Sequence, residues 1–214
     1  MKTILVFGDS NVWGHYPEIG NEQNRLPYEQ RLCGLLQAQL GDRYRIIEDG
    51  LGGRMARMED PLTPNRCGYP HLEIALEMHA PVDLLALHLG TNEARDMFNM
   101  NSRTIACSLE RLVNLAMRHP AGYAARRVLI IAPHPLALDV KEKHFGYIFG
   151  DHAFRATSGF SAAFRELANR CSCDFLDCAP LGFELNPFDG VHYCANDLKK
   201  LAAAIAGFIN AENI

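Results

Sequence analysis

Short runs of branched and aliphatic residues alternate along this chain with longer segments whose apolar side chains recur every three or four positions. The runs lie at residues 3–7, 44–48, 83–89 and 127–132, with a weaker fifth at 174–177. Between them, Leu32, Leu35, Leu36 and Leu40 share one helix face, as do Ile105, Leu109, Leu112, Val113 and Ala116. Helices also fit residues 69–79, 154–169 and 195–210. A strand followed by a helix and then another strand closes as a right-handed crossover, so this alternation predicts an α/β fold with a parallel sheet covered on both faces. At 214 residues the chain suits one domain spanning 1–214.

The composition narrows the class of partner. Apolar residues make up 48% and charged residues 21%, as in ordinary globular proteins. A formal net charge of −4, with the basic pair Arg126 and Arg127 standing alone, gives no electrostatic footprint for nucleic acid or an anionic membrane. No apolar stretch approaches the roughly 18 to 20 residues that span a bilayer. The run after Met1-Lys2 is too short for a secretory h-region. Seven cysteines, an odd number without an export signal, point to reduced thiols and a cytoplasmic protein. The expected partner is a small molecule.

The first run ends abruptly in "FGDSNVWG", residues 7–14. Gly8 permits a tight turn that lifts Asp9 and Ser10 to the carboxyl edge of the sheet, where open α/β sheets bind ligands. A serine hydroxyl there is a weak nucleophile until a base takes its proton. Near the other end, "FDGVHY" places Asp189 three residues before His192, a spacing that lets the carboxylate meet one ring nitrogen and leaves the other for the serine. With strand order 2-1-3-4-5, the segment between the fifth run and Asp189 is long enough to bring this pair to Ser10. In that order "DGLGG" and "LGTNE" follow the two strands flanking the first. Gly53 can then offer a backbone N–H and Asn92 its amide to a tetrahedral oxyanion, beside the N–H of Ser10 itself.

These blocks resemble those of the SGNH, or GDSL-type, hydrolases. Ser10 in "FGDSN", a glycine in "DGLGGR", Asn92 in "GTNE", and Asp189 with His192 in "DGVH" occur in that family's order across nearly the whole chain. The branch matched best is that of bacterial arylesterases and acyltransferases, through "FGDSNVWG", "EDGLGGR" and "EDP" at residues 59–61. The resemblance implies a flavodoxin-like three-layer α/β/α sandwich, a covalent acyl-serine, and no metal or organic cofactor. It also implies a homo-oligomer in some members, and acyl transfer to alcohols. Asn11 stands where the founding motif has leucine, and alignment of the second block favours Gly53, whereas a shift of one residue would select Gly52.

Trp13, Asn11 and His15 just past the nucleophile, with Phe149 and Phe154 from the long loop at residues 133–151 and its flank, are the candidate substrate contacts. Residues 133–151 carry several aromatics and fit either a pocket wall or a cover for the core. Arg54, Glu93, Arg95 and Asp96 read as surface or interface ion pairs. Rival chemistries fail on spacing. "GLGG" lacks the last glycine of GxGxxG, "HLE" has no PCxxC after it, and Cys171, Cys173, Cys178 and His192 match no zinc spacing. A non-catalytic flavodoxin-like protein binding a small ligand or phosphate is the alternative, against which the full set of Ser10, Asp189 and His192 weighs.

Overall fold

The computed structural model describes residues 1–21 and 23–214. Its five strands are β1 (Lys2–Gly8), β2 (Tyr44–Gly50), β3 (Leu84–His88), β4 (Val128–Ala132) and β5 (Asp174–Asp177), all parallel, in the order β2-β1-β3-β4-β5. Among the described residues seven α-helices surround them: α1 (Ser10–Trp13), α2 (Leu32–Leu40), α3 (Gly68–His79), α4 (Ser102–Met117), α5 (Asp151–Ser158), α6 (Phe160–Cys171) and α7 (Ala195–Ala211). The result is the three-layer sandwich expected from the sequence.

Alternation along each strand divides the core in two. Leu5, Phe7, Leu85, Leu87 and Ile130 pack against α3, α4 and α6, while Ile4, Val6, Leu84, Ala86, Leu129 and Ile131 pack against α2 and α7. Both faces are covered by helices, which is why the strands read as continuous apolar runs rather than half-polar ones. Where β1 stops, its Gly8 lies between Gly50 of β2 and His88 of β3. A Cβ at Gly8 would run into the Val12 side chain and stand 2.8 Å from the His88 carbonyl oxygen. Glycine there lets α1 start directly at the sheet edge.

One helix differs from the sequence reading. Residues 154–169 do not form a single helix; α5 ends at Ser158 and α6 begins at Phe160. Gly159 separates them, with a Cβ there only 2.5 Å from the Ser102 hydroxyl. The Thr157 and Ser158 hydroxyls turn back onto the α5 carbonyls of Ala153 and Phe154, which favours a break at that point.

Candidate active site

Asp9 is the N-cap of α1, its Oδ1 accepting the Asn11 N–H at 3.0 Å. Ser10 is therefore the first residue of a short helix that ends at Gly14, in the left-handed region at φ +87°. At the other end of the chain, Gly190 at φ +68° closes a turn held by the Asn186 carbonyl, which accepts N–H groups from Asp189 and Gly190. That turn aims Asp189 back at the ring two residues beyond Gly190.

The two ends meet. Ser10 Oγ lies 2.9 Å from His192 Nε2, and His192 Nδ1 lies 2.7 Å from Asp189 Oδ2. Asp189 is fully buried; its Oδ1 accepts the N–H groups of Val191 at 2.7 Å and His192 at 2.9 Å. Burial works to raise this carboxyl, yet its hydrogen bond to the His192 ring, that ring's charge and the two N–H groups hold it below the ordinary carboxylate range. The His192 ring is flanked edge-on by His15, with centroids 4.5 Å apart, and by Phe145 at 5.9 Å. Burial, and then the His192 charge, push His15 down to about 4, so it stays neutral beside the His192 ring.

On the facing side, Asn92 Nδ2 donates to the Arg54 carbonyl at 3.1 Å and its Oδ1 accepts from Arg95 at 3.3 Å. These two bonds fix which way the amide points and leave one amide hydrogen for the cavity. Gly53 has φ +76°, which a side chain rarely adopts, whereas Gly52 needs no such freedom. Among the described residues neither the Ser10 nor the Gly53 N–H donates a hydrogen bond. The cavity over this cluster has a volume of about 490 Å³.

Trp13, His15 and Phe149 line it, as do both Gly52 and Gly53. Asn11 and Phe154 do not, and these two substrate assignments are corrected. The Asn11 side chain is buried under α1 and accepts the Tyr193 N–H at 3.0 Å, lashing the Ser10 helix to the His192 segment. Phe154, on α5, is half-buried and packs against the core. The sequence reading offered residues 133–151 as a pocket wall, and Phe145 and Ile148 from it line the cavity; it missed Val191, Gln23, Thr63 and Arg66, which line it too. It missed Asn186 as well. Only the turn chemistry of "NPFDG" could have signalled Asn186, which binds Phe188 N through Oδ1 and the Pro17 carbonyl through Nδ2.

The expected surface ion pairs are mostly interior. Arg54 is 4% exposed, pairs with Asp49 at 2.8 Å, donates to the Gly8 carbonyl and lies 4.0 Å over the Phe7 ring. Arg95 pairs with buried Asp60 at 2.7 Å. Glu93 is fully buried, accepts the Ala56 N–H through Oε1 and leaves Oε2 without a partner among the described residues. Burial raises Glu93 to about 7 and Asp9 to about 6. Asp96 spends its Oδ1 on the Gly150 and Ala153 N–H groups, not on a cation. Residues 92–95 thus clamp the loop that carries Gly53. No cluster of three or more His, Cys, Asp or Glu among the described residues is arranged to hold a metal ion.

Neither a protein-family model nor a curated protein matches the chain. Solved structures do. A carbohydrate acetylesterase from Sinorhizobium meliloti is similar at 32% identity and TM-score 0.91, over 99% of this chain and 100% of that one. The aryl esterase of M. smegmatis is similar at 28% identity and TM-score 0.90, over 99% of each chain. A lipase/acylhydrolase from Enterococcus faecalis shares the fold, with 18% identity and TM-score 0.68 over 99% of this chain and 97% of that one.

Proposed function

Because the chain belongs to the SGNH, or GDSL-type, hydrolase family, we propose that it cleaves small carboxylic esters through an acyl-serine intermediate. One observation carries this reading: the unbroken pair of hydrogen bonds from Ser10 Oγ to His192 Nε2 and from His192 Nδ1 to Asp189.

In this reading Ser10 Oγ attacks the acyl carbon while its proton passes to His192 Nε2. Asp189 keeps the ring's other proton on Nδ1 and stabilises the imidazolium. The N–H groups of Ser10 and Gly53 and the free amide hydrogen of Asn92 receive the developing oxyanion, each such donor contributing about 3 to 4 kcal/mol. Collapse of the tetrahedral species breaks the bond to the alcohol oxygen, which leaves with the proton from Nε2. Water then attacks the acyl carbon, giving its proton to Nε2, and a second collapse frees the acid and restores the Ser10 hydroxyl. An alcohol in the place of water transfers the acyl group instead.

The size and lining of the cavity support small substrates. About 490 Å³ suits a short acyl chain with a modest alcohol. Trp13, Phe145 and Phe149 offer apolar lining for an aryl or short acyl group, and Gln23, Thr63 and Arg66 offer polar lining that suits hydroxyl-bearing alcohols such as acetylated sugars. Likeness to a carbohydrate acetylesterase and to an aryl esterase supports both. Seven free cysteines support a reducing, cytoplasmic setting. Hydrolysis of p-nitrophenyl esters, profiled by acyl length with and without added alcohol, tests the reading. Activity should be greatest for acetate to butyrate. Dominant long-chain activity contradicts the small-pocket assignment, and no turnover of any ester contradicts the esterase.

A further inference from the structure

Three guanidinium groups surround the loop that carries Gly53, and two of them are neutralised. Arg54 pairs with Asp49 at 2.8 Å and Arg95 with Asp60 at 2.7 Å. Arg66 is different. Among the described residues it forms no ion pair, and its Nη1 donates only to the carbonyls of Pro64 at 2.9 Å and Asn65 at 3.4 Å. Glu59 forms no ion pair with it; the Glu59 carboxylate accepts the backbone N–H groups of Arg66 and Cys67.

Arg66 belongs to the cavity. The residue is half-buried and lines the same cavity as Trp13 and Phe149. Its Nε lies 3.4 Å from the point a Gly53 Cβ would occupy, which sets the guanidinium beside the proposed oxyanion donor. A half-buried guanidinium with Nε and Nη2 unengaged is a planar fork shaped for two carboxylate oxygens.

From this geometry we propose that Arg66 selects esters that carry a carboxylate on the acyl or the alcohol portion, an inference that rests on the esterase reading above. The carboxylate docks on the Nε and Nη2 edge while the scissile carbonyl sits at Ser10. A neutral ester of equal size leaves that edge to water.

Two matched pairs separate the two sources of charge. For the acyl portion, the 4-nitrophenyl monoester of glutaric acid is compared with 4-nitrophenyl pentanoate; for the alcohol portion, 4-acetoxybenzoate is compared with 4-acetoxybenzamide. Each kcat/KM is divided by the rate of hydroxide hydrolysis of the same ester. Wild type should favour the anionic member of one pair by about tenfold, chiefly through KM, the size of one charge-assisted hydrogen-bonded contact. Arg66→Gln should bring that ratio near one, and Arg66→Lys should keep part of it. A wild-type ratio near one in both pairs overturns the proposal. So does an unchanged ratio in Arg66→Gln, or an equal loss on charged and neutral esters, which would mark Arg66 as an aid to the oxyanion alone. If Arg66→Gln does not fold, the wild-type ratio is followed with salt: a fall from 20 to 500 mM NaCl, on the order of threefold, supports the proposal, and a salt-independent ratio overturns it. Turnover of the neutral esters with a flat ratio defeats this inference only. Failure to turn over any ester defeats the esterase reading itself.

Discussion

Asp189→Asn isolates what the buried carboxylate contributes, because the structure dictates how the new amide must sit. Oδ1 of Asp189 accepts two backbone N–H groups, from Val191 and His192, and Oδ2 accepts the ring Nδ1. An amide NH2 turned toward the two N–H groups would bury donors against donors, at about 1 to 3 kcal/mol for each group left unsatisfied. The amide oxygen therefore stays on the N–H groups, and the NH2 faces Nδ1. The ring must then accept at Nδ1 and carry its proton on Nε2, pointing at Ser10 Oγ. In that tautomer the ring cannot take the serine proton. General-base assistance of about 10²- to 10⁴-fold is lost together with the charge that stabilises the imidazolium. The expected fall in kcat/KM for p-nitrophenyl acetate is about 10³- to 10⁴-fold, or about 4 to 5.5 kcal/mol in the barrier. Nitrogen NMR of the ring should show the proton moved from Nδ1 to Nε2 in a folded protein. A loss under tenfold, or a ring still protonated at Nδ1, would refute the reasoning.

Ser10→Ala and His192→Ala should each remove nearly all turnover, and the double variant should be little slower than either; losses that multiply in steady-state assays would contradict a cooperating pair. Gly53→Ala forces a side chain into φ +76° beside Arg66 Nε, at a cost of about 1 to 3 kcal/mol. It should lower both Tm and kcat, whereas Gly52→Ala, with open space around it, should leave Tm within about 2 °C. Glu93 is held at about 7 by burial against an ordinary 4.5, so its native form keeps a proton that the unfolded chain releases. The stability this confers is complete below pH 4.5 and is lost as pH rises through 7. Its size is on the order of 3 kcal/mol, at about 1.4 kcal/mol per pH unit. His15 and His88, both pushed down to about 4 by burial, act in the opposite sense below pH 6.5. The readout is therefore the difference in urea unfolding between wild type and Glu93→Gln, which should shift in favour of the variant from pH 5 to pH 8; a flat difference would place Glu93 at its ordinary value.

The sheet was legible because its signal is local. Apolar runs and helix spacing name the elements, and the crossover rule orders their direction, so β1 to β5 lie where the runs do. Ser10 and His192 are 182 residues apart, yet each stands in a turn of its own with recognisable chemistry, and the sheet edge does the rest. What could not be read is tertiary pairing. Whether Arg54 and Arg95 reach solvent depends on Asp49 and Asp60 meeting them in space, and nothing in the spacing of "GTNEARD" says that Glu93 will be sealed beneath the loop that holds Gly53. Asn11 was misassigned for the same reason, because adjacency to the nucleophile says nothing of which side of α1 a side chain leaves from. The break between α5 and α6 did have a local signal, the pair Ser158-Gly159, which the apolar period overran.

The measurement closest to the central claim is mass spectrometry of the protein after a fluorophosphonate probe, with peptide mapping of the adduct. One phosphonyl group per chain, on Ser10 and absent from His192→Ala, is the predicted result. Folded wild-type protein that stays unlabelled, or takes the group at another residue, would contradict a nucleophile activated across the sheet edge.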